Sequence, residues 1–142
     1  MKIELTRRYR FSASHRLHNR HLGEEENQRI YGKCNNPYGH GHNYVLAVSV
    51  SGAVDPATGM IANLGELDVF VEREVLEDFD HRNMNADVDA FRKKVPTTEN
   101  LCTEIYARLS KFPAAKLERV RLEETGLNSF EYTGESDERN IP

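Results

Sequence analysis

The segment that decides the fold of this chain is residues 40–54, which read HGHNYVLAVSVSGAV. Successive side chains of a β-strand point to opposite faces of the sheet, so every second residue lies on the same side. One set of alternate positions in this segment is apolar and consists of Tyr44, Leu46, Val48 and Val50. His40 and His42 belong to the same set. We therefore expect both imidazoles to point toward the covered face of the sheet.

A second strand, predicted over residues 3–15, places a third histidine on that face. Its alternate positions are mostly apolar and consist of Ile3, Leu5, Tyr9, Phe11 and Ala13, with Arg7 as the exception. His15 has the same parity as this series. A neighbouring strand can therefore deliver the ring of His15 to the pair formed by His40 and His42, and the three can converge on one ion.

Three histidines with an open fourth position are the ligand set of a catalytic zinc site. A site of four thiolates is excluded, because the only cysteines are Cys34 and Cys102. His18 and His21 compete with His15 for the third place, although their polar surroundings are more typical of solvated loop residues. Buried, hydrogen-bonded core histidines are the alternative interpretation of the same pattern.

Two amphipathic helices are predicted after the histidine strand. Asn63 with Glu66 three residues later forms the start signal of the first helix. Its apolar stripe is Leu64, Leu67, Val71, Val75 and Phe79. Thr97 or Thr98 caps the second helix, which Pro113 stops. Its stripe is Leu101, Ile105, Leu109 and Phe112.

The rest of the chain predicts short elements and connections. Residues 16–39 are polar and contain one short helix, 24–31, and residues 80–96 are irregular. Two strands follow the helical block, at 117–125 and 129–133. Because strands are grouped outside a helical block, the pattern is typical of an α+β fold with a mostly antiparallel sheet.

Composition limits the kind of protein. The chain has 142 residues, and 19 Lys and Arg against 23 Asp and Glu give a net charge of −4. This balance disfavours general nucleic-acid binding. No apolar run approaches the roughly 20 residues that span a bilayer, and the first residues lack the apolar core of a signal peptide. We expect a single domain over residues 1–134 with a polar tail at 135–142, in the cytoplasm.

Cys34 is a candidate for base chemistry. It lies in the loop that leads into the histidine strand. A thiol beside a cation or a metal ionises more easily and can take up a proton. An inert buried cysteine is the equal alternative. Cys102 lies on the second amphipathic helix and is predicted to fill the core.

Asp80 and His81 follow the first amphipathic helix. An acid next to an imidazole forms a plausible proton-relay pair. Neighbouring residues rarely join their own side chains, so we do not predict a fixed hydrogen bond between the two. The alternative is a histidine that simply interacts with the negative end of the helix dipole.

Glu124 shares the parity of the apolar residues in its strand. A carboxylate on the covered face is costly unless it has a partner. A ligand with a guanidine-like pair of donors would supply one, whereas fraying of the strand end would leave Glu124 in water. Glu99, by itself, is more typical of an acid in the first turn of a helix.

Several segments together resemble the 6-pyruvoyl-tetrahydropterin synthase family. The most specific is CNNPYGHGHNY over residues 34–44, in which five residues separate Cys34 from the His-x-His pair. The other matching segments occur in the same order: Phe11–His15, Asp55–Met60, Asp80-His81, Thr97–Asn100 and Glu124-Thr125.

The resemblance implies the tunnelling fold. In that fold a four-stranded antiparallel sheet carries two helices on one face. Three subunits close their sheets into an oligomeric β-barrel, and two such rings stack into a homohexamer. The resemblance also implies Zn2+ as cofactor, bound by His15, His40 and His42.

The family's other roles carry over to matching positions. The resemblance implies Cys34 as general base, with Asp80 and His81 as a proton relay supplied by a neighbouring subunit. It implies Glu124 as the anchor of the pterin ring. Thr98 and Glu99 are implied as further substrate contacts.

The implied activity is a lyase reaction. It converts 7,8-dihydroneopterin triphosphate into 6-pyruvoyl-5,6,7,8-tetrahydropterin with elimination of triphosphate. The alternative is 6-carboxy-tetrahydropterin synthase, in which three residues usually separate the cysteine from the His-x-His pair. A non-catalytic pterin- or metal-binding module stays open as well. So does a structural zinc site, whose fourth ligand would come from His18 or His21.

Overall fold

The computed structural model describes residues 2–134, and its strands form one sheet in the order β3-β1-β2-β4-β5. The strands are β1 (Ile3–His15), β2 (His40–Gly52), β3 (Arg82–Asn83), β4 (Lys116–Thr125) and β5 (Asn128–Tyr132). All hydrogen-bonded neighbours are antiparallel except β1 and β3. The predicted α+β class with a mostly antiparallel sheet is confirmed. The predicted tail at residues 135–142 lies outside the described residues.

The sheet has one strand more than the four that the resemblance implied. β3 is only two residues long and runs parallel to the end of β1. It forms because the chain turns sharply after the first amphipathic helix, where His81 adopts a φ of 61° and its N–H donates to the carbonyl of Ser12. Two residues carry no periodicity, so the sequence predicted an irregular segment there.

Five α-helices accompany the sheet in the described part of the chain. They are α1 (Glu24–Tyr31), α2 (Leu64–Val71), α3 (Glu77–Phe79), α4 (Met84–Asp87) and α5 (Thr98–Leu109). A π-helical segment, Glu72–Leu76, joins α2 to α3. The predicted caps are confirmed, since Asn63 accepts from the N–H of Glu66 and Thr97 from that of Asn100. No helix in residues 2–134 combines the length and apolar character that crossing a bilayer requires.

The core lies between the sheet and these helices. The predicted stripe of α5 is buried, and that of the α2–α3 rod is buried from Leu67 onward, whereas Leu64 is exposed. Phe11 of β1 and Tyr44 of β2 stack at 4.9 Å beneath them. Burying one such side chain contributes about 1.5–3 kcal/mol, so the helices hold the covered face of β1 and β2 firmly.

Buried asparagines order the polar connection between β1 and β2. Asn27 of α1 accepts from the N–H of Asn19, and its amide group donates to the carbonyls of Asn19, Leu22 and Gly23. A 3₁₀ turn, Gly32–Asn35, follows α1. Asn35 in this turn donates its amide to the carbonyl of Leu17 at 2.8 Å, which fixes the loop that carries Cys34 into β2.

Candidate metal centre

The pairing of β1 with β2 brings the three predicted histidines together. His15 lies opposite His40, and Ala13 lies opposite His42. The ring centroid of His15 lies 5.4 Å from that of His40 and 4.9 Å from that of His42. The ring centroids of His40 and His42 are 4.6 Å apart. The convergence expected from strand parity is therefore present in the fold.

Cys34 completes a cluster of four side chains. One ligand atom from each of His15, Cys34, His40 and His42 lies within 4.8 Å of all the others. The Sγ of Cys34 is 3.1 Å from Nε2 of His40. Imidazole nitrogen and thiolate sulfur are the donors that zinc prefers, so the cluster fits a metal of that kind.

A hydrogen bond to a residue distant in the sequence fixes the tautomer of His15. Its Nδ1 lies 2.9 Å from the carbonyl oxygen of Pro96. A carbonyl oxygen only accepts, so Nδ1 carries the hydrogen and Nε2 carries the lone pair. Metal-bound histidines commonly donate their second ring nitrogen in this way.

Two of the histidine nitrogens lack a hydrogen-bond partner in the part of the chain that the structure describes. Nε2 of His15 and Nε2 of His42 are buried and make no hydrogen bond among the described residues. Leaving a buried polar group unpaired costs about 1–3 kcal/mol, which a bound cation would offset. Burial lowers the pKa of His15 to about 4 against a raising contribution from the Pro96 carbonyl. Burial also lowers the pKa of His42. Neutral rings are the form that binds metal.

His18 and His21 lie outside the cluster of four side chains. Either one could have taken the place of His15 or supplied the fourth ligand of a structural zinc site, but the described cluster contains neither. Nδ1 of His18 lies 3.0 Å from the amide nitrogen of Asn35 and is occupied as an acceptor. The thiol of Cys34 lies beside the three rings instead, because the 3₁₀ turn brings it back toward β2.

Glu124 lies at the edge of the histidine cluster. Its Oε2 is 3.7 Å from Nε2 of His42 and accepts a hydrogen bond from Thr98, and its Oε1 accepts from Asn128 at 3.1 Å. The pairing of β4 with β5 shifts between Glu123 and Thr125, and such bulges redirect a side chain.

The partners of Glu124 come from its own chain. Burial alone would raise the pKa of Glu124, but the hydrogen bonds from Thr98 and Asn128 lower it overall. The carboxylate of Glu124 is thus held ionised and in place. The alternative that fraying of the strand end leaves Glu124 in water is wrong. The sequence did not indicate Asn128, because position 128 falls between the two predicted strands. Its four-residue spacing from Glu124 is the one signal that could have indicated it.

The other predicted residues lie apart from the four-residue cluster. Asp80 and His81 are not among its members. Nδ1 of His81 is 3.1 Å from Oδ1 of Asp80, which also accepts from the N–H of Ser12. The sequence did not predict this contact, which lies where the chain turns at the positive φ of His81. Glu99 lies exposed in the first turn of α5.

The mixed sheet, the helices on its covered face and the histidine cluster together define an α+β protein of the tunnelling fold. A family model described as 6-pyruvoyl tetrahydropterin synthase matches residues 4–135. The chain therefore belongs to the 6-pyruvoyl tetrahydropterin synthase family, and the resemblance found in the sequence is confirmed.

Individual relatives agree with this assignment. The chain is 46% identical to 6-pyruvoyl tetrahydrobiopterin synthase of Homo sapiens over 135 residues, which cover 94% of this chain and 93% of that protein. It superposes on the structure of Caenorhabditis elegans 6-pyruvoyl tetrahydropterin synthase with a TM-score of 0.89 at 40% identity, covering 95% and 97% of the two chains. A putative 6-carboxy-5,6,7,8-tetrahydropterin synthase of Archaeoglobus fulgidus is 34% identical over only 60% of this chain and 67% of its own.

Proposed function

We propose that this protein converts 7,8-dihydroneopterin triphosphate into 6-pyruvoyl-5,6,7,8-tetrahydropterin and triphosphate, as a lyase. The observation that carries the proposal is the convergence of His15, His40 and His42, with two buried nitrogen atoms that make no hydrogen bond among the described residues and a thiol beside them. The name and close similarity of the human relative favour the pyruvoyl product. The reaction is a rearrangement plus an elimination, so it needs no external oxidant.

The three histidines are proposed to hold Zn2+. Zinc bound there supplies Lewis-acid polarisation of the substrate's side-chain hydroxyls, which makes the neighbouring C–H protons more acidic. The Pro96 carbonyl orients the ring of His15 by accepting its Nδ1 hydrogen. Burial of His15 keeps the ring neutral and excludes water from it.

Cys34 is proposed to remove the proton as general base. Burial, followed by the negative charge of Glu124, raises the pKa of its thiol. A base role therefore requires a positive charge beside Cys34 to counter both effects. Asp80 and His81 are proposed to relay a proton to the site of a neighbouring subunit. Their pairing at 3.1 Å and the high exposure of the His81 side chain, 82%, suit a group that acts outside its own chain.

Glu124 is proposed to anchor the pterin ring. A carboxylate with two oxygens matches the paired N–H groups of a guanidine-like edge, and charge-assisted hydrogen bonds of this kind are strong. Thr98 fixes Oε2 of Glu124 from the buried start of α5. Glu99, exposed in the same turn, is proposed as a further contact to the pterin.

The assembly and the domain limits belong to the proposal as well. We propose a single domain over residues 1–134 that forms a homohexamer of two stacked trimers in the cytoplasm. Light scattering of the purified protein tests the assembly, since a monomer would remove the neighbouring subunit that supplies Asp80 and His81.

The test of the proposed function combines metal analysis with product identification. Wild-type protein should contain zinc, release triphosphate and form the 6-pyruvoyl product by mass spectrometry. Cys34→Ala should keep its zinc but lose about 10²- to 10⁴-fold in turnover, the usual range for a general base. Cys102→Ala, which removes the other thiol, is the matched control and should keep its turnover.

The same assay separates the alternatives. A 6-carboxy product would assign the chain to the related synthase, although five residues rather than three separate Cys34 from His40. Protein that binds zinc but releases no triphosphate would instead be a pterin- or metal-binding module.

A further inference from the structure

A basic groove lies directly beside the histidine cluster and has no role in the chemistry described above. Its volume is about 650 Å³. Arg16 and Gly39, which line it, are the chain neighbours of His15 and His40. Pro96 also lines it and accepts the hydrogen bond from His15. The groove therefore directly adjoins two of the metal-binding residues along the backbone and a third residue that orients one of them.

The groove concentrates positive charge in an acidic chain. Its charged lining residues in the described part of the chain are all basic: Arg16, Arg20, Arg92, Lys93 and Lys94. Arg92 pairs with the exposed carboxylate of Asp89 at 2.7 Å. The other four make no ion pair within residues 2–134. Such a surface attracts a strongly anionic group.

One of these cations is also held in position by the site itself. Nε of Arg16 donates to the carbonyl of Asn35 at 3.2 Å, in the same turn that carries Cys34. The remaining guanidinium nitrogens of Arg16 make no hydrogen bond among the described residues. A guanidinium anchored at one edge presents its other donors in a fixed geometry, which suits phosphate oxygens.

The features of the site follow one another along β2 in a definite order. Val45 pairs with Glu123, so Glu124 follows on the side of His42, and its Oε2 lies 3.7 Å from Nε2 of that ring. Read backward along the chain, His42 is followed by His40 and then by Gly39, which lines the groove. At about 3.3 Å per residue, His42 and His40 are about 7 Å apart along the strand, and Gly39 is the next residue beyond them.

We propose that this groove seats the triphosphate of the substrate, with Arg16, Lys93 and Lys94 as its main contacts. The inference rests on the proposed function. The order of carboxylate, histidine cluster and basic groove is the order of pterin ring, hydroxylated side chain and triphosphate in the substrate. Bound in this direction, the substrate places each part against a group of complementary chemistry, and the leaving triphosphate lies at the open end.

A second groove is the competing location. It has a volume of about 480 Å³ and is lined by His40 itself, but Lys33 is the one Lys or Arg among its described lining residues. One exposed ammonium group provides little attraction for a highly charged triphosphate. The charge distribution therefore favours the groove of Lys93 and Lys94 over that of Lys33.

Binding of inorganic tripolyphosphate to the zinc-loaded protein tests the groove without catalysis. The double variant Lys93→Ala/Lys94→Ala should bind it at least about tenfold more weakly than wild type. Lys111→Ala/Lys116→Ala removes the same charge elsewhere on the surface and should bind as wild type does. Zinc content is measured for every variant, because tripolyphosphate also binds free metal. Equal losses in both double variants, or a loss only in Lys33→Ala, would overturn the proposal.

Steady-state kinetics assigns the site to the substrate. Lys93→Ala/Lys94→Ala should raise KM about tenfold or more with little change in kcat, because these lysines contact the leaving group before and during reaction alike. Weakened tripolyphosphate binding with an unchanged KM would mean that the groove binds only free polyphosphate, and would refute the substrate assignment. Failure of the proposed function is recognised separately, as wild-type protein that forms no product.

Discussion

The polar side chains at the two ends of the β1–β2 pair are partnered in opposite ways. At the end where β1 begins, Thr6 and Ser49 share a hydrogen bond across the strands at 2.7 Å. Nearby, Arg7 forms a two-point contact with Asp68 of α2. At the end where β1 finishes, Nε2 of His15 has no hydrogen-bond partner within residues 2–134. The end where β1 begins, called the satisfied end below, pairs its polar groups within the chain. The end where β1 finishes, called the open end, leaves buried nitrogen atoms without a hydrogen bond among the described residues.

The unpaired groups are confined to one region. The buried side-chain nitrogen and oxygen atoms without a hydrogen-bond partner in residues 2–134 are His15 Nε2, His42 Nε2 and the hydroxyl of Tyr44. All three lie on the covered face near the junction of β1 and β2. Native proteins satisfy most buried polar groups, so a cluster of exceptions indicates a site built for something outside the chain. The unpaired buried atoms therefore mark the end of the strand pair that serves function.

The largest effect is expected from breaking the open end. His42→Ala removes one of the three proposed zinc ligands, so the metal content should fall close to zero and turnover should be lost with it. The fold should survive, because Nε2 of His42 makes no hydrogen bond among the described residues. Metal analysis and product formation measure the effect. Asn43→Ala, at the next position and on the other face, is the control. A variant that keeps both zinc and activity would refute the ligand assignment.

A smaller effect is expected where the open end meets the substrate. Glu124→Gln removes the charge from the proposed pterin anchor while preserving its shape. Losing one charge-assisted hydrogen-bonding partner should raise KM about 10- to 100-fold, with zinc content unchanged. Glu123→Gln, the neighbouring residue in β4, makes the same chemical change outside the anchor and should behave as wild type. Equal KM values for the two variants would remove Glu124 from the binding site.

The sequence predicted the open end well because its signal is local. Strand alternation depends only on neighbouring residues, so the shared face of His40 and His42 followed from two-residue spacing, and His15 followed from the same rule in β1. The caps at Asn63 and Thr97 are equally local.

Contacts between distant residues were beyond this reasoning. The bond from His15 to Pro96 spans 81 residues, and that from Arg7 to Asp68 spans 61. Arg7 was visible in the sequence only as an exception in an apolar series. The spacing of apolar residues cannot predict the partner of Arg7, because that partner depends on how α2 packs on the sheet.

At the satisfied end, a substitution of Asp68 is expected to cause a modest loss of stability. Asp68 accepts from Arg7 and from the hydroxyl of Tyr9, and these hydrogen bonds lower the pKa of its carboxyl. Asp68→Asn should reduce Tm by no more than about 4 °C, since partly exposed ion pairs contribute little. Zinc content and turnover should not change.

The pH dependence of that loss has a definite sign. A carboxyl whose pKa is lowered by folding stabilises the protein above its unfolded value, near 3.8, and loses this contribution as pH falls through the folded value. The Tm difference between wild type and Asp68→Asn should therefore be constant from about pH 5 upward and shrink below about pH 4. A difference that grows on acidification would contradict the assigned role of Asp68.

The smallest expected effect gives the sharpest test of the contrast between the two ends. Tyr44 is 1% exposed, and its hydroxyl has no hydrogen-bond partner among the described residues. Deleting an unpaired buried hydroxyl while keeping the ring removes a desolvation cost without opening a cavity. Tyr44→Phe should therefore leave Tm of the metal-free protein unchanged or slightly higher. Tyr9→Phe, which removes a hydroxyl bonded to Asp68 at 2.8 Å, should lower it. If Tyr44→Phe lost more stability than Tyr9→Phe, the hydroxyl of Tyr44 would be held by its own chain after all, and the contrast between the two ends of the β1–β2 pair would not stand.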